Sequence, residues 1–137
     1  MIPEEVLKAF DNLCHPEKPL VWVATSSKDM PHLVPVCFVK ALDDGRLLIG
    51  NVFISRTEQN IESNPRIALA VAFKRNGWDG YLLKGRAEVL KEGSLFDSFK
   101  QEVLERSGGK RKLRSALLVS VEEVYSLAPR KGNKRLV

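Results

Sequence analysis

The sequence predicts a mainly β fold: a small six-stranded antiparallel β-barrel, closed or split, with decorating helices. Three observations predict it. Six runs rich in β-branched and aromatic residues are joined by short turns. The helical segments do not alternate with strands in the βαβ manner that a doubly wound parallel sheet requires. No internal repeat and no standard glycine-rich phosphate loop interrupts the pattern.

The elements follow in order. PEEVLKAFDNL, 3–13, reads as a helix: Pro3 suits a first turn, Glu4 and Glu5 suit its positive end, and Val6, Leu7, Phe10 and Leu13 make one apolar face. LVWVAT, 20–25, is the first strand. SSKDMP turns it into a second strand, HLVPVCFVKAL, 32–42. Pro35 inside that run donates no ladder hydrogen bond, so the strand is an edge there, or bulges, or leaves a backbone position open to a ligand. DDG turns the chain into a third strand, RLLIGNVF, so the first three strands form a meander.

A short helix follows from Ser55 and is stopped by Pro65. RIALAVAFK, 66–74, is a continuous apolar strand, RNGWDG, 75–80, a loop, and YLLKGRAEVLK, 81–91, a fifth strand in which Gly85 marks a bulge. SLFDSFKQEVLERS, 94–107, is a helix with Ser94 as its expected cap, and SALLVSVEEVYSLA, 115–128, is the last strand.

The 137 residues suit one domain, 1–137, large enough to bury a core without staples. No apolar run reaches the ~18 residues of a membrane span, and MIPEEVLKAF lacks the basic-then-apolar pattern of a signal peptide. The expected location is therefore the cytoplasm, with Cys14 and Cys37 as reduced thiols. Two histidines and no CxxC or HxxxH speak against a metal site. The formal charge of +5 gathers in KRKLR, 110–114, and RKGNKR, 130–135. These read as a solvated loop and tail, or as contacts to an anion; without interleaved aromatics they argue against nucleic acid.

SRTEQNIESNP is the stretch with chemistry in it. Ser55 followed by Glu58 makes a capping box, and Arg56 and Thr57 fall in a first turn whose backbone N–H groups are free. Arg56 opposes the helix dipole there, so it calls for an anion. A guanidinium and hydroxyls beside free N–H groups suit a phosphate monoester. A capped surface helix without ligand satisfies the same pattern. Gly50 and Asn51, just upstream, permit close backbone approach and two-way hydrogen bonding.

FISRTEQNIESNPRIAL resembles the phosphate-binding turn and helix of the pyridoxamine 5′-phosphate oxidase-like, FMN-binding split-barrel family. VWVATSSKDMPHLVPV resembles the family's opening hairpin, LLKGRAEVL its glycine-containing later strand, and ALLVSVEEVYSLAP its final strand. The resemblance implies a homodimer of six-stranded split barrels with FMN at the subunit interface. Carried over by position, Ser55, Arg56 and Thr57 hold the phosphate. Gly50 and Asn51 lie against the flavin or ribityl chain, with Asn60 a further contact. The backbone of Pro35, Val36 and Cys37 faces the isoalloxazine ring, and Trp78 either covers it from the partner or is a plain anchor.

The family's true oxidases carry an Arg and a Lys on the second strand, where this chain has HLVPVCFVK, and an Arg-x-Ser motif that RSGGKRKLRS does not reproduce. The resemblance is thus closer to the short FMN-binding proteins than to vitamin B6 oxidation. It implies a flavin-dependent oxidoreductase or electron carrier, with a deazaflavin-dependent reductase or a non-catalytic flavin sensor as alternatives. No catalytic acid or base is assigned.

Overall fold

A computed structural model describes residues 2–52 and 55–137. Among these residues the chain forms helix α1 (Glu4–Phe10), then strands β1 (Asn12–Leu13), β2 (Val21–Ser27), β3 (Met30–Val36), β4 (Phe38–Ala41) and β5 (Leu47–Asn51). Helix α2 (Ser55–Ser63), β6 (Arg66–Lys74), β7 (Trp78–Leu90), α3 (Ser94–Arg106), β8 (Ser115–Ser126) and a 3-10 turn (Pro129–Lys131) complete it. The strands make one antiparallel sheet in the order β1-β4-β5-β8-β7-β6-β2-β3.

The sheet has eight strands where the sequence predicts six. Both extra strands come from one event. The predicted strand 32–42 changes partners at Cys37: Val36 still pairs with Val21 of β2, whereas Phe38 pairs with Leu13 of β1. β3 therefore ends one margin of the sheet and β4 lies next to the other, with a single residue between them. That corner curls the sheet into a half-barrel. Among the described residues β3 pairs only with β2, so Pro35, opposite Trp22, sits on an edge strand, where proline is tolerated.

The first helix is shorter than expected. It ends at Phe10, and Leu13 belongs to β1 rather than to the helix face. Gly93, not Ser94, occupies the residue before α3, without a side-chain cap. Trp78, Asp79 and Gly80 extend β7 into the predicted 75–80 loop and pair with Lys74, Phe73 and Ala72. The predicted end of the third strand, at Phe53, lies outside the described residues.

Alternation explains which faces are inside. In β2, Val21, Val23 and Thr25 are buried while Trp22 is exposed. Val23, Ile49, Leu69, Leu83, Leu117 and Val119 fill the curl, closed below by Val6 and Phe10 of α1. Each of these fully enclosed side chains contributes about 1.5–3 kcal/mol through burial. A second cluster packs Phe96, Phe99 and Val103 of α3 on Phe38, Leu48 and Leu113. The bulge expected at Gly85 is present as a register shift between Lys84 and Gly85. Only glycine fits there, since a Cβ would lie 2.1 Å from the Ser120 carbonyl oxygen.

Candidate functional site

The ends of β5 and α2 meet the start of β8. Asn51 pairs with Ser115 across the β5–β8 ladder, and its buried Nδ2 donates to Ser115 Oγ at 2.8 Å. The Arg114 backbone N–H donates to the Asn51 carbonyl at 2.9 Å. From that fixed position the Arg114 guanidinium donates to Ser55 Oγ at 3.3 Å. Ser55 is the first residue of α2, so this contact sets a cation beside a helix N-terminus. The sequence assigns Arg114 to a basic cluster; only the long-range ladder brings it here.

Four of the sequence-predicted residues share one pocket of about 190 Å³: Pro35, Val36 and Cys37 from the β3–β4 corner, and Gly50 from β5. Phe38 and Val52 complete its apolar wall, and Arg111 and Cys14 join the lining. Packing is tight at Gly50. A Cβ there would lie 2.8 Å from Leu113 Cδ2 and 3.1 Å from Phe38 Cβ. Close approach at Gly50 is thus an approach of the Leu113 and Phe38 side chains, and Gly50 also lines the pocket.

The expectation of two reduced thiols is corrected here. Cys14 and Cys37 form a disulfide, with Cα atoms 4.6 Å apart. Twenty-three residues separate them, and the pairing follows from the strand corner at Cys37 and the left-handed backbone of Cys14, φ 64°. The Cys14 N–H also donates to the Cys37 carbonyl at 2.7 Å.

Arg56 and Asn60 line a different and larger cavity, about 670 Å³, with Lys28, His32, Gln59 and Ser63 among its other walls. Asn60 is buried, and its Nδ2 donates to Thr25 Oγ1 at 3.0 Å, tying α2 onto β2. Ser55, Arg56 and Thr57 therefore face three ways: toward Arg114, into this cavity, and inward. Thr57 is wholly enclosed, and its Oγ1 is a buried side-chain oxygen without a hydrogen-bond partner among the described residues. Leaving such a hydroxyl unpaired costs about 1–3 kcal/mol.

Two features lie outside these cavities. The Asp79 carboxylate, buried at the start of β7, accepts from Arg75 at 3.0 Å and from Arg130 at 3.2 Å, which pins the C-terminal turn to the sheet. Burial pushes the Asp79 carboxyl up, but the Gly80 N–H and the two guanidinium groups outweigh it and hold it below the ordinary carboxylate value. On the outer face of β2 and β3, Trp22 is 43 % exposed and Leu33 61 % exposed, beside Pro35. This apolar strip runs up to the smaller pocket, whose rim Pro35 forms. Trp78 is also exposed, with Lys74 Nζ 5.2 Å from its ring centre.

Comparison with known proteins gives a consistent result. The sequence profile described as pyridoxamine 5′-phosphate oxidase matches residues 4–128. An uncharacterized protein of Methanocaldococcus jannaschii is 32% identical over 129 residues, which span 92% of this chain and 80% of that one. The FMN-binding protein of Nitratidesulfovibrio vulgaris is 29% identical over 86 residues, spanning 58% of this chain and 70% of its own. Among solved structures, Group A Streptococcus HupZ shares the fold with a TM-score of 0.76 at 24% identity, covering 93% of this chain and 94% of that one.

Proposed function

The chain belongs to the pyridoxamine 5′-phosphate oxidase family, and from that premise we propose that it is an FMN-binding flavoprotein, an oxidoreductase or electron carrier whose flavin lies between two copies of the chain. The observation that carries the reading is the convergence of Pro35, Val36, Cys37 and Gly50 on one pocket that Arg111 also lines. The FMN-binding relative from Nitratidesulfovibrio vulgaris supports the choice of ligand.

The residues fit the group. The apolar wall from Pro35 to Phe38 suits a flat aromatic ring. Arg111, Arg114 and the N-terminus of α2 suit the phosphate, with Ser55 as a further hydrogen-bond partner. Arg56 adds a guanidinium on the same turn, and the Thr57 hydroxyl, without a hydrogen-bond partner among the described residues, is a further donor of that turn. Asn51 and Asn60 act by holding β5 and α2 in place.

One protomer's pocket, about 190 Å³, falls short of the ~300–1,000 Å³ of typical small-molecule sites. A second copy seated on the apolar strip of Trp22 and Leu33 supplies the missing wall and covers that strip. Bound flavin supplies reversible electron transfer; the protein orients it and excludes water.

The reading is tested by titrating the purified chain with FMN, riboflavin and a deazaflavin, following flavin fluorescence. FMN is expected to bind most tightly, with riboflavin weaker because it lacks the phosphate. A preference for the deazaflavin would assign the site to that cofactor instead.

A further inference from the structure

We propose that Cys14 and Cys37 form a reversible disulfide–dithiol couple that exchanges two electrons with the ligand of the pocket they line, an inference that rests on the flavin-binding reading above. Both cysteines line the same pocket as Pro35, Val36 and Gly50, so the sulfur pair borders the space assigned to the ring. The pair is also open to reaction. Cys14 is exposed and Cys37 half-buried, unlike a staple sealed inside a core.

The corner does not depend on the covalent bond. The Cys14 N–H to Cys37 carbonyl hydrogen bond remains when the sulfurs part. So do the pairings Asn12–Val39 and Leu13–Phe38, the two ladder positions next to the cysteines. Asn12, buried, accepts from the His15 N–H at 2.9 Å and donates to the Pro19 carbonyl at 3.0 Å, which holds the loop after Cys14. The two thiols would thus stay close enough to re-form the bond. Arg111 lines the same pocket, and a cation in the pocket favours the ionised sulfur that exchange requires.

The step balances. In the reducing direction the S–S bond breaks, the disulfide takes up two electrons and two protons, and two thiols form. The reduced flavin that gives them up returns to its oxidised state. In the oxidising direction the same electrons and protons leave the dithiol and the S–S bond closes.

The test uses the wild-type chain loaded with FMN, freed of unbound flavin, and photoreduced without oxygen using EDTA as donor. Samples are then denatured in an alkylating reagent and weighed intact. The expected result is bleaching of the flavin together with two alkyl groups per chain, against none in the dark control. Bleached flavin with both cysteines still paired overturns the couple and leaves the flavin site standing. Failure of the chain to retain FMN at all overturns both, and is visible beforehand as a colourless protein. The Cys14→Ser, Cys37→Ser double variant is expected to bleach with about half the electron uptake per chain. Uptake equal to the wild type would contradict the couple.

Discussion

Arg114 and Ser55 lie 59 residues apart in sequence, yet the Arg114 guanidinium donates to Ser55 Oγ at 3.3 Å. The contact joins the entrance of β8 to the first turn of α2 and leaves that turn flanked by two arginines, 56 and 114. A helix N-terminus already favours an anion; a cation held against it in the absence of one is electrostatically unfavourable by itself. The arrangement is relieved by a ligand that carries negative charge.

Replacing Arg114 with Ala is therefore expected to weaken FMN about 10- to 100-fold, the equivalent of the ~1.5–3 kcal/mol of a charged hydrogen bond. Riboflavin, without the phosphate, should bind nearly as before. Arg56→Ala should show the same selectivity. Fluorescence titrations with both ligands make the comparison, and equal losses for the two would remove that arginine from the phosphate site.

Thr57 offers an independent check. Its hydroxyl is buried without a partner among the described residues, so Thr57→Val should leave the ligand-free chain as stable or raise its melting temperature. If the hydroxyl serves the phosphate, the same change weakens FMN. A lower melting temperature in the ligand-free chain would mean that the hydroxyl is satisfied in solution.

The Asp79 pairing predicts a pH dependence with a definite sign. The folded carboxyl titrates below its unfolded value. Its contribution to stability is then fully present above the unfolded value, roughly pH 4, and is lost as the pH falls through the lowered folded value. Asp79→Asn should destabilise the chain by about 1–3 kcal/mol at neutral pH, and the gap from wild type should narrow below about pH 4. Urea melts at several pH values measure it; a gap that widens in acid would contradict the assignment.

Much of the fold is legible in the sequence because most of it is set locally. Residues 66–74 read as a strand and form β6 with those bounds. Gly85 reads as a bulge and is one, because the close approach of Ser120 leaves no room for a Cβ. What is not legible depends on distant partners. The run HLVPVCFVKAL is apolar from Leu33 to Val39, and nothing in it marks Cys37 as the residue where pairing passes from β2 to β1. The disulfide follows from that corner, which is why two cysteines 23 residues apart read as separate thiols. The candidate site divides the same way: Pro35, Val36, Cys37 and Gly50 converge as a group, while Arg114 and Arg111 join only through the β5–β8 ladder and the loop before it.

In the proposed dimer, the exposed strip on β2 and β3 links assembly to the ligand. Leu33→Glu places a charge on that face, 61 % exposed in the single chain, and leaves the inward core side of β3 untouched. Sedimentation should show the wild type as a dimer and the variant as a monomer. FMN affinity should fall as the dimer is lost, because each protomer's pocket loses its second wall. A monomeric variant that binds FMN as tightly as the wild type would separate the site from the interface.

The central claim is that this chain holds FMN, and the most direct measurement is the absorption spectrum of the purified protein after incubation with FMN and removal of the free ligand, with the bound species identified by mass spectrometry. The account predicts a retained flavin band and a released mass equal to FMN, in a ratio near one per chain. A colourless protein that retains no flavin would contradict it.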